Sequence, residues 1–313
     1  MTPLRVVFFG TPAFAVPTLE RLIASPHAVV GVVTQPDRPS GRGQRTHDTP
    51  VKAAAAPHGI PVFQPATLKD PAVEPALREL APDLGVVAAY GRIIPSRLLT
   101  LPRLGMINVH ASLLPRYRGA APVHRAVING DRETGVTIMR VVPELDAGAM
   151  FATVTRPIDA DDTSDVVERD LATLGADLLL EVVHQMAQGA ATEMPQDASE
   201  ATYAARLTKD EGHLDWTRPA EHLRNQVRGL YPWPHAYAFL DGARLILLHA
   251  RTGPHGSASA PGTVLQADAE GILVAAGDGT SLRIDRLQPE GKRPMDARAF
   301  LASRPLTPGV ALS

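Results

Sequence analysis

Asn108, His110 and Ser112 occupy alternate positions in the run Asn108-Val109-His110-Ala111-Ser112-Leu113-Leu114-Pro115. An amide donates N–H to an oxygen gaining negative charge, an imidazole moves protons near neutrality, and a hydroxyl does either at close range. In extended backbone, residues two apart point to one face, so the spacing predicts three polar groups projecting together. They follow the apolar stretch Met106 to Val109 and precede a proline- and glycine-containing loop. The carboxyl end of a buried strand is where open α/β sheets keep their sites. The same residues also fit a solvated loop with a satisfied histidine, and spacing alone leaves both readings open. Asp146, in the turn Glu144-Leu145-Asp146-Ala147-Gly148, is open in the same way. Its carboxylate either bonds its own turn or works with His110 if the fold brings the two together. The other histidines show no ligand spacing, and no metal site is expected.

The elements needed to hold such residues are visible as hydrophobic runs. Arg5 to Phe9, Ala28 to Val33, Leu84 to Ala89 and Met106 to Val109 are continuously apolar, the pattern of strands covered on both faces. Helical patterns lie between them, around Ala13 to Ala24 and Pro71 to Leu80. Thr134 to Val142 and Met150 to Thr155 add two further strands, and a long helix spans about Ser164 to Gln188. Asp161, Asp162 and Asp165 near its start suit the positive end of the helix dipole. Strand–helix alternation predicts an α/β, Rossmann-like, mostly parallel sheet.

Gly189 to Thr202, rich in Ala, Thr, Gln and Asp, reads as a linker, after which the pattern changes. A helix is expected from Pro219 to Gly229, with Thr217 as its N-cap. Short strands follow at Ala236 to Leu240, Arg244 to Ala250, Gly262 to Gln266, Gly271 to Ala275 and Ser281 to Leu287. Asp241-Gly242 and Asp278-Gly279 supply hairpin turns. The expected organisation is a catalytic domain over 1–189, a linker over 190–205 and a small OB-like β-barrel over 206–313.

Composition narrows the class. The 313 residues contain no cysteine, which removes disulfides, thiolate nucleophiles and thiolate-held metals and fits a reducing cytoplasm. No apolar run is long enough to span a bilayer. The net charge of −2 does not describe a strongly basic nucleic-acid binder, although basic residues collect towards the end: Arg283, Arg286, Lys292, Arg293, Arg298 and Arg304. Gly10-Thr11-Pro12 follows the first strand but lacks the three-glycine fingerprint of a dinucleotide fold, so it reads as a tight strand-to-helix turn. Thr34 to Lys52 is long for a connection inside a domain and carries Arg38, Arg42, Arg45 and Lys52 with glycines around Arg42. A flexible basic loop fits itself to phosphates; an ordinary solvated loop has the same composition.

Together these segments closely resemble the methionyl-tRNA formyltransferases, a branch of the folate-dependent formyltransferase superfamily, over nearly the whole chain. The resemblance rests on Phe9-Gly10-Thr11-Pro12, on Thr34-Gln35-Pro36-Asp37-Arg38 with Gly41-Arg42-Gly43, and on Ala89-Tyr90-Gly91. It continues through Ile107-Asn108-Val109-His110, Ser112 to Pro122, Thr134 to Met139, Leu145-Asp146-Ala147-Gly148 and Pro232-Trp233-Pro234. The Asn-x-His and Ser-Leu-Leu-Pro core marks the whole superfamily; the basic loop and the C-terminal β-domain mark the tRNA branch.

The resemblance implies formyl transfer from 10-formyltetrahydrofolate to methionyl initiator tRNA by a cytoplasmic monomer that uses no metal. It implies Asn108, His110 and Asp146 as the catalytic set, Ser112, Leu113, Leu114 and Pro115 at the folate site, and Arg38, Arg42 and Arg45 on the tRNA. Three positions depart from the family pattern: Ala13 and Ala149, where acidic residues are common, and Gln44, where a lysine is often found. The alternatives are another folate-linked formyltransferase or a formyltetrahydrofolate hydrolase, a nicotinamide oxidoreductase, and a non-catalytic RNA-binding protein.

Overall fold

The computed structural model describes residues 2–40 and 45–313. The chain divides into two compact units. One comprises Met1–Pro122, Glu133–Pro157 and Glu168–Ala204; the other comprises Val123–Arg132, Ile158–Val167 and Ala205–Ser313.

The first unit is built on a seven-stranded sheet. Its strands are β1 (Arg5–Gly10), β2 (Ala28–Val33), β3 (Val62–Phe63), β4 (Leu84–Ala88), β5 (Met106–His110), β6 (Glu133–Arg140) and β7 (Met150–Pro157). They lie in the order β7-β6-β5-β4-β1-β2-β3. Strands β1 to β5 run parallel, and β6 and β7 add to β5 antiparallel. The apolar runs become strands because both faces are covered: Val6, Val7, Phe8 and Phe9 are each at most 1% exposed. Burial of side chains this size contributes about 1.5–3 kcal/mol each. The pattern from Ala13 to Ala24 resolves into a 3₁₀ turn, Ala13–Ala15, followed by the helix Val16–Ile23.

Register decides where the chemistry sits. Gly10 lies opposite Ala88, and Ala88 opposite Val109, so Thr11, Ala89 and His110 mark one level at the carboxyl edge of the sheet. The chain leaves β1 for β2 and β3 on one side and returns to β4 and β5 on the other. Loops diverge at such a reversal and leave a crevice. The helix Ser164–Gln188 backs β5: a Cβ placed on Gly175 would come within 2.8 Å of Val109 Cγ1. Val109 therefore faces that helix, and Asn108 and His110 project from the other face.

In the second unit the strands are β8 (Ala236–Leu240), β9 (Ala243–Thr252), β10 (Val264–Asp268), β11 (Gly271–Ala275), β12 (Ser281–Pro289) and β13 (Met295–Asp296). The order is β8-β9-β12-β11-β10, with β13 on β12. Residues 309–313 join the two edges. Phe239 and Ser313 exchange backbone hydrogen bonds, while Val264 N–H donates to Val310 and Leu312 N–H to Gly262. This covers one end of each edge strand. Asp241-Gly242 and Asp278-Gly279 have the positive φ angles of tight hairpin turns. The helix Ala220–Gly229 is not capped by Thr217. Its N-cap is Pro219, and the Thr217 hydroxyl donates instead to Asp215 Oδ1 at 2.6 Å.

Candidate active site

β5 carries Asn108 and His110 to the carboxyl edge, opposite Met139 and Thr137 of β6. The Asn108 amide makes no hydrogen bond to another side chain or backbone group among the described residues and is only half-buried. His110 is buried, and its Nε2 lies 3.0 Å from the Tyr117 carbonyl oxygen. Its Nδ1 faces Asp146 Oδ2 at 3.7 Å, close but beyond hydrogen-bond length. That same Oδ2 accepts the Gly119 N–H at 2.8 Å. The structure thus brings Asp146, from the β6–β7 turn, up to His110 on β5, which also carries Asn108.

Local backbone explains the placement. Asp146 has φ +47°, a left-handed conformation that aspartate tolerates better than most residues. Gly119 has φ +120°, and a Cβ there would lie 2.7 Å from the Ala204 carbonyl oxygen. Only glycine allows that approach, and through it the chain presents an N–H to the Asp146 carboxylate.

Ser112 differs from the alternation expected of it. The strand ends at His110, so the two-residue period stops before reaching it. Ser112 is fully buried and donates its hydroxyl to the Arg116 carbonyl at 2.7 Å. Thr137 Oγ1 donates to the Ser112 carbonyl at 2.8 Å and accepts the Leu114 N–H at 3.1 Å. Leu114 is buried, while Leu113 and Pro115 are half-buried. The loop 112–115 is a pinned rim beside the catalytic strand.

Three further residues hold this geometry without having been expected at the site: Thr137 and Arg118, which lie within the family motifs, and Gln196, which lies in none of them. The segment expected as a linker runs across the first unit. Met194 pairs with Met150 through two 2.8 Å backbone bonds. Arg118 N–H donates to the Thr202 carbonyl at 2.8 Å, and Tyr203–Ala204 pairs in parallel with Arg118–Gly119. Gln196 donates Nε2 to the carbonyls of Asp146 (2.8 Å) and Gly148 (2.7 Å), and its Oε1 accepts from Arg118 Nη2 (2.7 Å) and Nε (3.1 Å). Local sequence cannot point to partners 48 to 78 positions apart. Ala149 carries no carboxylate, and Gln196 bonds the two turn carbonyls near it in sequence, those of Asp146 and Gly148.

The basic loop is rooted in a polar network. Asp37 bonds Lys52, accepts from Gln64 Nε2 at 2.7 Å and receives the Thr49 N–H at 3.3 Å. The Lys52 contact, then that of Gln64, holds the Asp37 carboxyl below the usual carboxylate range; the Asp37 contact raises Lys52. Gln35 Nε2 and the Thr11 hydroxyl both donate to the Tyr90 carbonyl, at 2.9 and 3.2 Å. The loop root is thereby tied to the turn that follows β4. Beyond the root, Arg38–Ser40 pairs with Arg45–His47 as a short ribbon; Arg42 and Gln44 lie outside the described residues. In the second unit, Arg283 and Arg304 meet acidic partners, whereas Arg286, Lys292, Arg293 and Arg298 are exposed.

A cavity of about 530 Å³ near Met106, Arg140 and Met186 lies at the opposite end of β5 from His110 and takes no part in this site. Among the described residues, no cluster of His, Asp or Glu is arranged to hold a metal ion. No described helix is long and apolar enough to cross a membrane.

A carboxyl-edge amide, imidazole and carboxylate on a Rossmann-like sheet form the architecture of a formyl transferase, and the chain belongs to that family. The formyl transferase domain matches residues 4–183 and the formyl transferase C-terminal domain matches residues 206–305. Its full-length relatives include methionyl-tRNA formyltransferases. That of Thiobacillus denitrificans is 48% identical over 310 residues, covering 99% of each chain; that of Methylococcus capsulatus is 48% identical over 303 residues, covering 97% and 98%. Two solved structures share the fold. An N-formyltransferase from Helicobacter canadensis, in complex with folinic acid and dTDP-3-aminofucose, has a TM-score of 0.68 at 16% identity, covering 90% of this chain and 98% of that one. HypX from Aquifex aeolicus, in complex with tetrahydrofolic acid, has a TM-score of 0.65 at 17% identity, covering 96% of this chain; the chain spans 47% of HypX.

Proposed function

We propose that the chain transfers the formyl group of 10-formyltetrahydrofolate to the α-amine of methionyl initiator tRNA. The observation that carries this reading is similarity to methionyl-tRNA formyltransferases along the whole chain, at 48% identity over 99% of its length. The positions of Asn108, His110 and Asp146 support it.

The chemistry moves one proton as well as one acyl group. The amine nitrogen attacks the formyl carbon, the bond from that carbon to the folate nitrogen breaks, the amine loses a proton and the folate nitrogen gains one. The site therefore needs an oxyanion donor and a shuttle but no net acid or base. Asn108 donates N–H to the formyl oxygen as it becomes negative; one such donor is worth about 2.7–4 kcal/mol in a transition state. Asp146 accepts the proton of the attacking amine. A carbonyl oxygen only accepts hydrogen bonds, so the His110 nitrogen facing Tyr117 carries a hydrogen, and Nδ1 is left to exchange a proton with the Asp146 side of the site. Leu113, Leu114 and Pro115 form the rim against which the donor lies. Arg38, Arg42 and Arg45 take the tRNA phosphates, and the barrel with its exposed arginines adds to that contact. The working form is proposed to be a monomer in the cytoplasm, which size-exclusion chromatography and cell fractionation check.

The deciding experiment is incorporation of labelled formyl from 10-formyltetrahydrofolate into methionyl initiator tRNA, with methionyl elongator tRNA as control. Efficient labelling of the initiator is expected. Absence of labelling, or label released as free formate, overturns the reading.

A further inference from the structure

We infer that Gln196, clamped by Arg118, is a positioning residue for Asp146, and that the segment 190–204 serves as a strap completing the active site; this rests on the formyl-transfer reading above. The orientation of the Gln196 amide is fixed by its neighbours. A guanidinium only donates, so the atom facing Arg118 is oxygen; the carbonyls of Asp146 and Gly148 only accept, so the atom facing them is nitrogen. Every hydrogen-bonding position of this side chain that faces protein is used. Arg118 is 6% exposed and Gln196 is half-buried.

The clamp acts where the backbone is least able to hold itself. Asp146 sits at φ +47° between Leu145, 60% exposed, and Gly148. The two carbonyls that Gln196 grips bracket the turn and set the direction in which the Asp146 side chain leaves it. The same strap fixes the other half of the site. Thr202 accepts the Arg118 N–H through its carbonyl and the Tyr117 N–H through Oγ1 at 2.9 Å. Tyr117 supplies the carbonyl that orients His110, and Gly119 the N–H that holds the Asp146 carboxylate. One segment thus braces both the aspartate and the partners that aim the histidine and the aspartate.

The test compares turnover and melting temperature for wild type, Gln196→Glu and the double variant Arg118→Met, Gln196→Met, each with Asp146 present and with Asp146→Asn. Gln196→Glu still accepts from Arg118 but turns an oxygen towards the two carbonyls. The double methionine variant removes both partners together and leaves no buried charge unpaired. Displacing a reacting group by about 1 Å costs on the order of 10²-fold in rate, so a kcat loss of roughly 10–100-fold is expected from both variants. KM for tRNA should change less than about twofold, and the loss should largely vanish in the Asp146→Asn background, because residues acting through one another are not additive. Wild-type kcat in a folded variant, an undiminished loss with Asn at 146, or loss of folding in every variant overturns the proposal. Full turnover by Asp146→Asn alone overturns the site reading and the strap with it, whereas an inactive Asp146→Asn beside an active Gln196→Glu removes only the strap.

Discussion

The His110 Nε2 lies 3.0 Å from the carbonyl oxygen of Tyr117, a residue held at φ +61°, and this single contact sets which ring nitrogen faces the reaction. The imidazole cannot turn over without giving up its bond to that carbonyl, so Nδ1 stays directed towards Asp146. His110→Ala and Asp146→Asn are each expected to lower kcat by at least about tenfold, and the double variant by much less than the product of the two losses, as for groups that act as a unit. Asn108→Ala should cost about 10²–10³-fold in kcat through removal of an oxyanion donor. Single-turnover formylation rates check all four; multiplicative losses for His110 and Asp146 would separate their roles.

Arg38 and Arg45 stand on the two strands of a short ribbon, and Arg42 lies between them in sequence. Replacing any one of these arginines with Ala should raise KM for tRNA and leave KM for the folate donor unchanged. The slope of tRNA affinity against salt should also fall by about one for each arginine that no longer meets a phosphate. Filter binding of methionyl tRNA across a salt series measures this. An unchanged slope would return the loop to the role of solvated surface.

Gly148 predicts the stiffness of the catalytic turn. A Cβ there would fall 1.9 Å from the Arg140 carbonyl oxygen, an overlap that only movement of the turn relieves. Gly148→Ala is expected to destabilise the fold by about 1–3 kcal/mol and to lower kcat as Asp146 is displaced. Urea unfolding and initial rates test the two parts. A variant with wild-type stability and rate would show that the turn yields easily.

His27 gives the fold an acid-sensitive point away from the site. It is 4% exposed, its Nδ1 accepts the Leu4 N–H at 3.1 Å, and its ring lies 5.1 Å from that of His184. Burial, then His184, lowers its pKa from 6.5, so the folded state holds it neutral while the unfolded chain protonates near its ordinary value. Its contribution is present above about pH 6.5 and is lost as pH falls from there towards the lowered folded value. His27→Gln should flatten the decline in unfolding free energy between about pH 7.5 and about pH 5.5, measured by urea titration. An unaltered pH dependence would place the acid sensitivity elsewhere.

Most of the sheet was legible because strands buried on both faces are written as uninterrupted apolar runs; Ala28–Val33 and the helix Ser164–Gln188 keep the bounds expected of them. Asn108 and His110 were legible as an alternation on one such strand. The pairing with Asp146 was not, since it depends on the antiparallel addition of β6 and β7 beyond β5. Ser112 misled because a period of two holds only while the strand lasts. The strap misled in the other direction: Ala, Thr, Gln and Asp are the composition of a linker, and the bonds that make it structural reach partners far away in sequence. Barrel closure by residues 309–313 was hidden for the same reason, because those residues carry little strand character of their own.

The strap also sets an order of assembly during synthesis. The ribosome can release the whole seven-stranded sheet, with Asn108, His110 and Asp146 all in place on the chain, before Gln196 and Thr202 have been made. Until those residues emerge, the catalytic turn lacks its bonds to Gln196 and the Tyr117–Arg118 backbone lacks its bonds to Thr202. A chain cut after residue 189 would therefore contain every strand of the sheet and the three catalytic side chains, yet lack the residues that brace the catalytic turn.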